Sequence, residues 1–452
     1  MNLELLKRVD TAEDMLSGLN DFAEQLQDER VLELREAIMT FTVELLKSLG
    51  GKGNNALFSP VSVMAVLAML SDGANGATKA ELEQLLGADS DELFVLFQKC
   101  FMKDADGTKW DAEVNFANGI LLCDNEDIHI NEDFLEKYTS SPIAELMKVT
   151  ADDVCHTANG WVNEKTKGKI SNIINGCPKD LAVILLNAIY FKGEWQDKYE
   201  LAVREWFFET DEKRSYVSVL WDEIKKAYLS GKNATGFIKK YRGGQYSFAA
   251  ILPDYDTPLP EYISKLSGSE LLSTLKARRE TVSVVLPKFK NEAEIDFKSI
   301  LEQLGNRTIF NPERADFSKL ATTDAPEKNI CVDDFRQKAV IALDENGTEA
   351  AAVTFAMMKC FCYCMDEQPK EVHLTRPFLY MIIDNRYNIP LFVGTIENDK
   401  AMYPITDETL IPILDGRAEF AHEKRRKMEK RPSGDSLQDL PPLSWDEEGL
   451  RK

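Results

Sequence analysis

The chain has 452 residues, 44% of them hydrophobic, with 54 Lys and Arg against 76 Asp and Glu for a formal net charge of -22. That length can bury a large core, and so acidic a balance excludes a nucleic-acid partner, whose phosphates are held by clustered Lys and Arg; a solvated acidic surface is the reading preferred. No apolar run reaches the ~20 residues of a membrane span, and Met1-Asn2-Leu3-Glu4-Leu5-Leu6-Lys7-Arg8 lacks the apolar centre of a secretory signal, so neither membrane insertion nor classical export is expected.

Ala12, Met15, Leu16, Leu19, Phe22, Ala23 and Leu26 recur at helical spacing, which predicts an amphipathic helical extension over residues 1–30, with Thr11 and Asp14 placed to cap it. Its apolar stripe is read as packing on the chain's own domain, with a partner-binding helix as the alternative. A further helix is predicted from Val31 to Leu49 through Phe41, Leu45, Leu46 and Leu49. After Gly76, Thr78 and Glu81 stand at capping-box spacing and predict a second, short helix. Phe248 to Leu252 and Thr281 to Leu286 read as strands. Helices and strands without regular βαβ alternation predict an α+β architecture.

Asp344-Glu345-Asn346-Gly347-Thr348-Glu349-Ala350-Ala351-Ala352-Val353-Thr354 is the most informative segment. An acidic pair, a glycine and small residues lead into an apolar stretch, the pattern of a strand able to slide between two others. Large side chains there would have to displace core residues at ~1 to 3 kcal/mol each. Asn346-Gly347-Thr348 is also a glycosylation sequon, as are Asn233-Ala234-Thr235 and Asn306-Arg307-Thr308, and a glycan on Asn346 would obstruct such insertion.

The eight cysteines, Cys100, Cys123, Cys155, Cys177, Cys331, Cys360, Cys362 and Cys364, are too sparse and irregular for a disulfide scaffold, so reduced thiols in a cytosolic protein are expected. Cys360, Cys362 and Cys364 lack a second ligand pair at zinc spacing and a histidine cluster, so no metal is expected; redox-sensitive loop thiols are the alternative role. His129, His156, His373 and His422 are scattered, and there is no nucleophile elbow, phosphate loop or zinc-protease helix, so the chain does not read as an enzyme. Beyond Gly394-Thr395-Ile396 a tail runs on to Lys452. Its basic cluster Lys424-Arg425-Arg426-Lys427 is read as a solvated mixed-charge helix, with a nuclear-import or acidic-partner patch as alternative, and Pro432 to Trp445 has a disorder-like composition.

Several blocks occur in a fixed order around the 344–354 segment: Asn55-Ala56-Leu57-Phe58-Ser59-Pro60-Val61-Ser62, Gly73-Ala74-Asn75-Gly76-Ala77-Thr78, Asn159-Gly160-Trp161-Val162-Asn163-Glu164-Lys165-Thr166-Lys167-Gly168-Lys169-Ile170, and Leu186-Asn187-Ala188-Ile189-Tyr190-Phe191-Lys192-Gly193-Glu194-Trp195. Leu286-Pro287-Lys288-Phe289, Arg376-Pro377-Phe378-Leu379 and Pro390-Leu391-Phe392-Val393-Gly394 follow. The ordered set resembles the serpins over roughly residues 30 to 398, and the long stretch between Phe361 and Pro377 resembles their ovalbumin-related intracellular branch. The resemblance implies an α+β serpin fold of about three β-sheets and eight or nine helices. It divides the chain into a 1–30 extension, a 31–398 serpin domain with an exposed reactive-centre loop at about 345–370, and a 399–452 extension.

The function implied is suicide-substrate inhibition: a protease cleaves the loop, is held as an acyl-enzyme, and is distorted as the loop inserts into the central sheet. The resemblance makes Glu345, Gly347, Thr348, Glu349, Ala350, Ala351 and Ala352 the hinge. Trp195, Lys288 and Glu345 become the breach, where insertion begins, and Ser59, Ser62, Asn187 and Gln337 the shutter beneath it. Gln337 stands where many members have histidine, so a titrating imidazole is absent there. Counting sixteen residues from Glu345 in the family's manner puts the scissile bond at Phe361 and Cys362, with Lys359 and Tyr363 as alternatives. Phe361 suits the apolar pocket of a chymotrypsin-like serine protease; a cysteine protease is also open as target. The other reading is a non-inhibitory serpin acting as chaperone, carrier or storage protein. A monomer without cofactor is expected, in the cytoplasm or outside the cell by an unconventional route.

Overall fold

The structure, a computed structural model, describes residues 29–101, 112–124, 128–139, 141, 144–150, 152–174, 183–199, 201–324, 329–348 and 369–403. The expectations for the N-terminal helix, for Glu349, Ala350, Ala351 and Ala352, for Lys359, Cys360, Phe361, Cys362, Tyr363 and Cys364, and for the tail beyond residue 403 lie outside them. Among the described residues are nine α-helices and three large sheets, an α+β fold.

The helical pattern after Val31 forms α1 (Glu29–Leu49). Next comes α2 (Pro60–Gly73), whose start is fixed by Ser59, the cap that accepts from Ser62 N at 3.3 Å, and by Pro60, pre-set for a first helical turn. Nearly every residue of α2 is buried, so it forms the apolar axis of the domain. α3 (Gly76–Leu86) begins at Asn75, which corrects the capping-box expectation. Thr78 is buried inside the helix and its hydroxyl accepts from Asp316 N at 2.9 Å, while the Glu81 carboxylate accepts from Arg307 N and Thr308 N. Tertiary backbone donors have taken both side chains. The remaining helices are α4 (Ser90–Phe101), α5 (Glu132–Thr139), α6 (Val154–Lys165), α7 (Leu259–Lys265), α8 (Gly268–Thr274) and α9 (Lys298–Gln303). No helix among the described residues is long and apolar enough to cross a membrane.

One six-stranded sheet runs in the order β1 (Leu57–Phe58), β18 (Ile389–Ile396), β17 (Phe378–Asp384), β10 (Tyr246–Pro253), β9 (Ala234–Lys240) and β8 (Tyr228–Gly231). A four-stranded sheet runs β16 (Lys370–His373), β11 (Val282–Pro287), β7 (Arg214–Ile224) and β6 (Leu201–Phe208). The apolar runs at Phe248 and Thr281 become β10 and β11. A two-stranded ribbon pairs β13 (Ala321–Thr323) with β3 (Ile128–Ile130).

The central sheet positions the site, in the order β12 (Phe289–Asp296), β14 (Val332–Leu343), β15 (Gly347–Thr348), β5 (Val183–Glu194), β2 (Glu113–Asp124) and β4 (Glu145–Thr150). β15 occupies only the top. Below it β14 and β5 pair directly and in parallel, from Val332 opposite Val183 to Val340 opposite Tyr190. A large core lies behind this sheet, and a second apolar cluster covers its front. In that cluster Val154, Ala158 and Val162 of α6, with Ile170, Ile173 and Ile174, lie on Ala117 and Leu121 of β2, Ile184, Leu186 and Ala188 of β5, and Val340 of β14. Gly119 leaves the space that α6 needs, since a Cβ there would stand 2.8 Å from Trp161 Cη2. Cys100, Cys123 and Cys331 are free, but Cys155 on α6 is disulfide-bonded, which corrects the expectation of reduced thiols throughout.

Candidate functional site

The seam between β14 and β5 carries two clusters of polar residues, one at its top and one in its middle. At the top the chain leaves β14 at Leu343, turns through Asp344, Glu345 and Asn346, and re-enters the sheet as β15. Thr348 pairs with Leu343 on one side, and Gly347 and Thr348 pair with Glu194 and Gly193 on the other, antiparallel to both neighbours. The turn is built on Asp344, whose Oδ1 accepts from Asn346 N at 2.7 Å and Gly347 N at 3.2 Å, as in other Asp-led turns. Only glycine fits at 347, where φ is +156° and a Cβ would stand 2.0 Å from Gly193 O.

Trp195 closes this turn from behind. Its Nε1 donates to Asp344 O at 2.9 Å and its backbone N to Asn346 O at 2.9 Å, while its ring stacks on Tyr241 at 4.5 Å between centroids. The Tyr241 hydroxyl in turn shares a 2.7 Å hydrogen bond with Thr348 Oγ1, which is fully buried. Lys288 Nζ lies 2.8 Å from Glu345 Oε2, with both side chains about a fifth exposed, and Lys198 Nζ donates to Asn346 Oδ1 at 3.1 Å. Burial raises the Glu345 carboxyl, but the Lys288 hydrogen bond and charge outweigh it, and the net position is below the usual carboxylate range. For Asp344 burial wins over the two backbone donors, and its carboxyl is raised. A third cation, Lys239 on β9, is buried against Asp222 of β7 at 2.6 Å and lies over the Tyr199 ring at 4.3 Å and near that of Trp195.

In the middle of the seam Gln337 of β14 stands opposite Asn187 of β5, and Gln337 Nε2 donates to Asn187 Oδ1 at 2.7 Å. Gln337 also grips the start of α2, its Oε1 accepting from Ser59 N at 2.9 Å and its Nε2 donating to Ser59 O at 3.2 Å. Asn187 Nδ2 donates to Ser62 Oγ at 2.9 Å and to Asn118 Oδ1 at 3.0 Å, and Ser62 Oγ donates to Asn118 Oδ1. Every member is buried. None titrates in the working pH range, because amides and hydroxyls carry no charge to gain or lose there.

The residues taken from the family motifs therefore gather in two places: Ser59, Ser62, Asn187 and Gln337 in the middle, and Trp195, Lys288, Glu345, Gly347 and Thr348 at the top. Sequence reasoning missed Asn118, Lys198, Tyr241 and the Lys239–Asp222 pair. The signal for Asn118 was present in Ala117-Asn118-Gly119-Ile120, an amide inside an apolar run, but Asn-Gly ordinarily marks a turn. Of the three sequons, Asn306 and Asn346 are buried, 1% and 5% exposed, leaving no room for a glycan.

Comparison with known proteins accords with this arrangement. The family model described as Serpin (serine protease inhibitor) matches residues 36–399. The chain is 30% identical to serpin B8 of Homo sapiens over 377 residues, 80% of this chain and 98% of that protein. It is 27% identical to an uncharacterized serpin-like protein of Thermococcus kodakarensis, over 80% of this chain and 85% of that one. Among solved structures it is similar to the thermophilic serpin tengpin in its native state, with a TM-score of 0.72 and 33% identity across 80% of this chain and 94% of tengpin. Thyroxine-binding globulin in complex with thyroxine, at 22% identity and a TM-score of 0.69 over 80% of this chain and 98% of that one, shares the fold. The chain belongs to the serpin family, the serine protease inhibitors.

Proposed function

We propose that this serpin is a suicide-substrate inhibitor of a chymotrypsin-like serine endopeptidase. In this reading the protease serine attacks the carbonyl of Phe361, the amine of Cys362 leaves, and the acyl-enzyme is carried along as the loop from Glu345 onward enters the seam. Lys359 or Tyr363 would replace Phe361 if the register is shifted, and a cysteine protease would be held through a thioester by the same movement.

One observation supports this reading above the others: Gly347 and Thr348 already lie between β14 and β5, antiparallel to both, directly above a parallel pair with no strand between. Extending β15 exchanges that parallel pairing for two antiparallel ladders, the more stable kind per residue. Some ten added backbone hydrogen bonds at ~1 kcal/mol net each are comparable with the ~5 to 15 kcal/mol stability of an ordinary domain, enough to deform an attached protease. In these terms the top cluster, with Trp195, Lys288 and Glu345, is the breach. Ser59, Ser62, Asn187 and Gln337, joined by Asn118, form the shutter. The residues that would follow Thr348, namely Glu349, Ala350, Ala351 and Ala352, include the small side chains that such a path requires.

The same reading places the serpin domain at residues 31–398, between extensions at 1–30 and 399–452. For location it keeps the cytoplasm and unconventional export. The test is incubation with chymotrypsin, a denaturing gel, and mass spectrometry of the released fragment. A complex stable in detergent with a fragment beginning at Cys362 is expected. Clean cleavage without a complex and without a gain in heat stability would overturn the inhibitor reading for this protease class and leave the non-inhibitory carrier, chaperone or storage role.

A further inference from the structure

Asn346 has a side chain that its seat only half satisfies. It is 5% exposed, its Oδ1 accepts from Lys198 Nζ at 3.1 Å, and its Nδ2 is buried without a partner. The residue that follows must be glycine, because a Cβ at 347 would stand 2.0 Å from Gly193 O and 2.8 Å from Glu194 Cα. Asparagine before glycine is the chemically labile combination, since no side chain shields the next backbone nitrogen from the asparagine carboxamide. Close strand approach therefore imposes at 347 the residue that exposes Asn346 to this chemistry.

We infer that Asn346 is a deamidation site, held unreactive while the hinge sits between β14 and β5 and released to react when the hinge leaves. In the reaction Gly347 N attacks Asn346 Cγ. The new N–Cγ bond closes a five-membered imide, the Cγ–Nδ2 bond breaks, and Nδ2 departs as ammonia with the proton from Gly347 N. Water then opens the imide, leaving either aspartate or an isoaspartyl linkage through Cβ. Ring closure requires the backbone at Asn346 to rotate, and here it is pinned on both sides. Asn346 N and Gly347 N donate to Asp344 Oδ1 at 2.7 and 3.2 Å, Asn346 O accepts from Trp195 N at 2.9 Å, and Gly347 O accepts from Asp344 N at 2.9 Å.

The two products affect the seat in opposite ways. Aspartate turns the carboxamide whose Oδ1 accepts from Lys198 Nζ into a carboxylate, so the returning hinge gains an ion pair. The isoaspartyl product lengthens the backbone by a methylene and puts Thr348 out of register with Gly193 and Tyr241. Deamidation thus sorts molecules whose hinge has left into those that reseat more firmly and those that cannot reseat. The consequence for protease trapping rests on the inhibitor reading above; the chemistry at Asn346 does not.

The test follows the full chain and a Thr348→Arg variant in mildly alkaline buffer with no protease present. A guanidinium cannot occupy the fully buried place of Thr348, so the variant withdraws the hinge. Mass spectra of digests follow conversion at Asn346, with Asn118-Gly119 inside β2 and Asn159-Gly160 inside α6 as internal references. Because reaction proceeds through the open fraction, Asn346 is expected to convert about tenfold or more faster in the variant, with the references unchanged. Equal rates in the two chains, or an unmodified chain as fast as a free peptide of residues 340–352, would overturn the inference. Should Thr348→Arg not fold, hydrogen exchange at Gly347 and Thr348 in Asn346→Asp replaces it. Slower exchange than in the unmodified chain, lost again when Lys198→Met is added, supports the ion pair; unchanged exchange overturns it. If these results hold and no protease complex forms, deamidation stands and the inhibitor reading alone fails.

Discussion

The top and the middle of the same seam are held by different chemistry. At the top the contacts are an ion pair, an Asp-led turn and an aromatic stack, at the edge of solvent, with two carboxyls displaced in opposite directions. In the middle the neutral side chains of Ser62, Asn118, Asn187 and Gln337, with the backbone of Ser59, form a closed network with no water-facing member. A cluster of the first kind can be adjusted by pH and salt and is suited to admitting a strand. The second kind is insensitive to both and opens only if several buried hydrogen bonds break together, which makes it a lock.

The largest effect that should expose this contrast is Asn187→Ala. It strands the amide of Gln337 and the partners of Asn118 and Ser62 in a dry site, at a cost of about 2 to 4 kcal/mol. The melting temperature should fall by several degrees, and spontaneous loop insertion, read as a slow gain in heat resistance on storage, should accelerate; an unchanged melting temperature would remove the lock. Gly347→Ala comes next, at about 1 to 3 kcal/mol for a forced backbone shift. It should expel β15 without touching the middle, so hydrogen exchange at Thr348 should rise while that at Gln337 stays constant. Parallel changes at both would mean that the two regions are one unit.

Gln337→His would convert the lock into a titrating one. A buried imidazole has its pKa lowered by desolvation, so the unfolded chain binds more protons, and stability is lost as pH falls below the unfolded value of about 6.5 and on through the lower folded value. The unmodified chain should be flat at the shutter over that window, and a melting curve equally flat for the variant would contradict the dry-network account. The smallest effect is expected from Lys288→Met. Glu345 is lowered in the fold, so its contribution to stability is present at neutral pH and is lost as pH drops into and below the ordinary carboxylate range near pH 4. Asp344 is raised, so its contribution has the opposite sign and declines as pH rises through its folded value. Without Lys288 the Glu345 component should vanish, steepening the neutral-side loss by about 0 to 1 kcal/mol. An unchanged acid limb in thermal melts against pH would show the ion pair to be inert.

Much of this arrangement was legible from residue type alone. Phe248 to Leu252 and Thr281 to Leu286 announce strands by their alternating or continuous apolar character, and they form β10 and, from Val282, β11. What escaped the sequence was every contact that depends on three-dimensional neighbours of equal local plausibility. Thr78 and Glu81 have the spacing of a cap, yet the loop from Asp316 and the turn at Arg307 claimed them. Asn118-Gly119 has the composition of a hairpin turn, but it sits inside β2 because Trp161 needs the missing Cβ and Asn187 needs the amide. Tyr241 is distant in sequence from Thr348 and gives no local sign of the bond they share.

The apolar cover on the front of the central sheet carries a further consequence. Its side chains rest on β2, on β5 and, through Val340, on β14, so it spans both banks of the seam. If the loop enters this seam as proposed, the banks must part, and they cannot do so while that cover stays in place. On that reading the lifetime of the native state would be a rate, set by how often α6 and the segment after it slide clear, rather than an equilibrium between folded forms. Substitutions at Ala158 or Val162, inside that cover, would then set the shelf life of the protein.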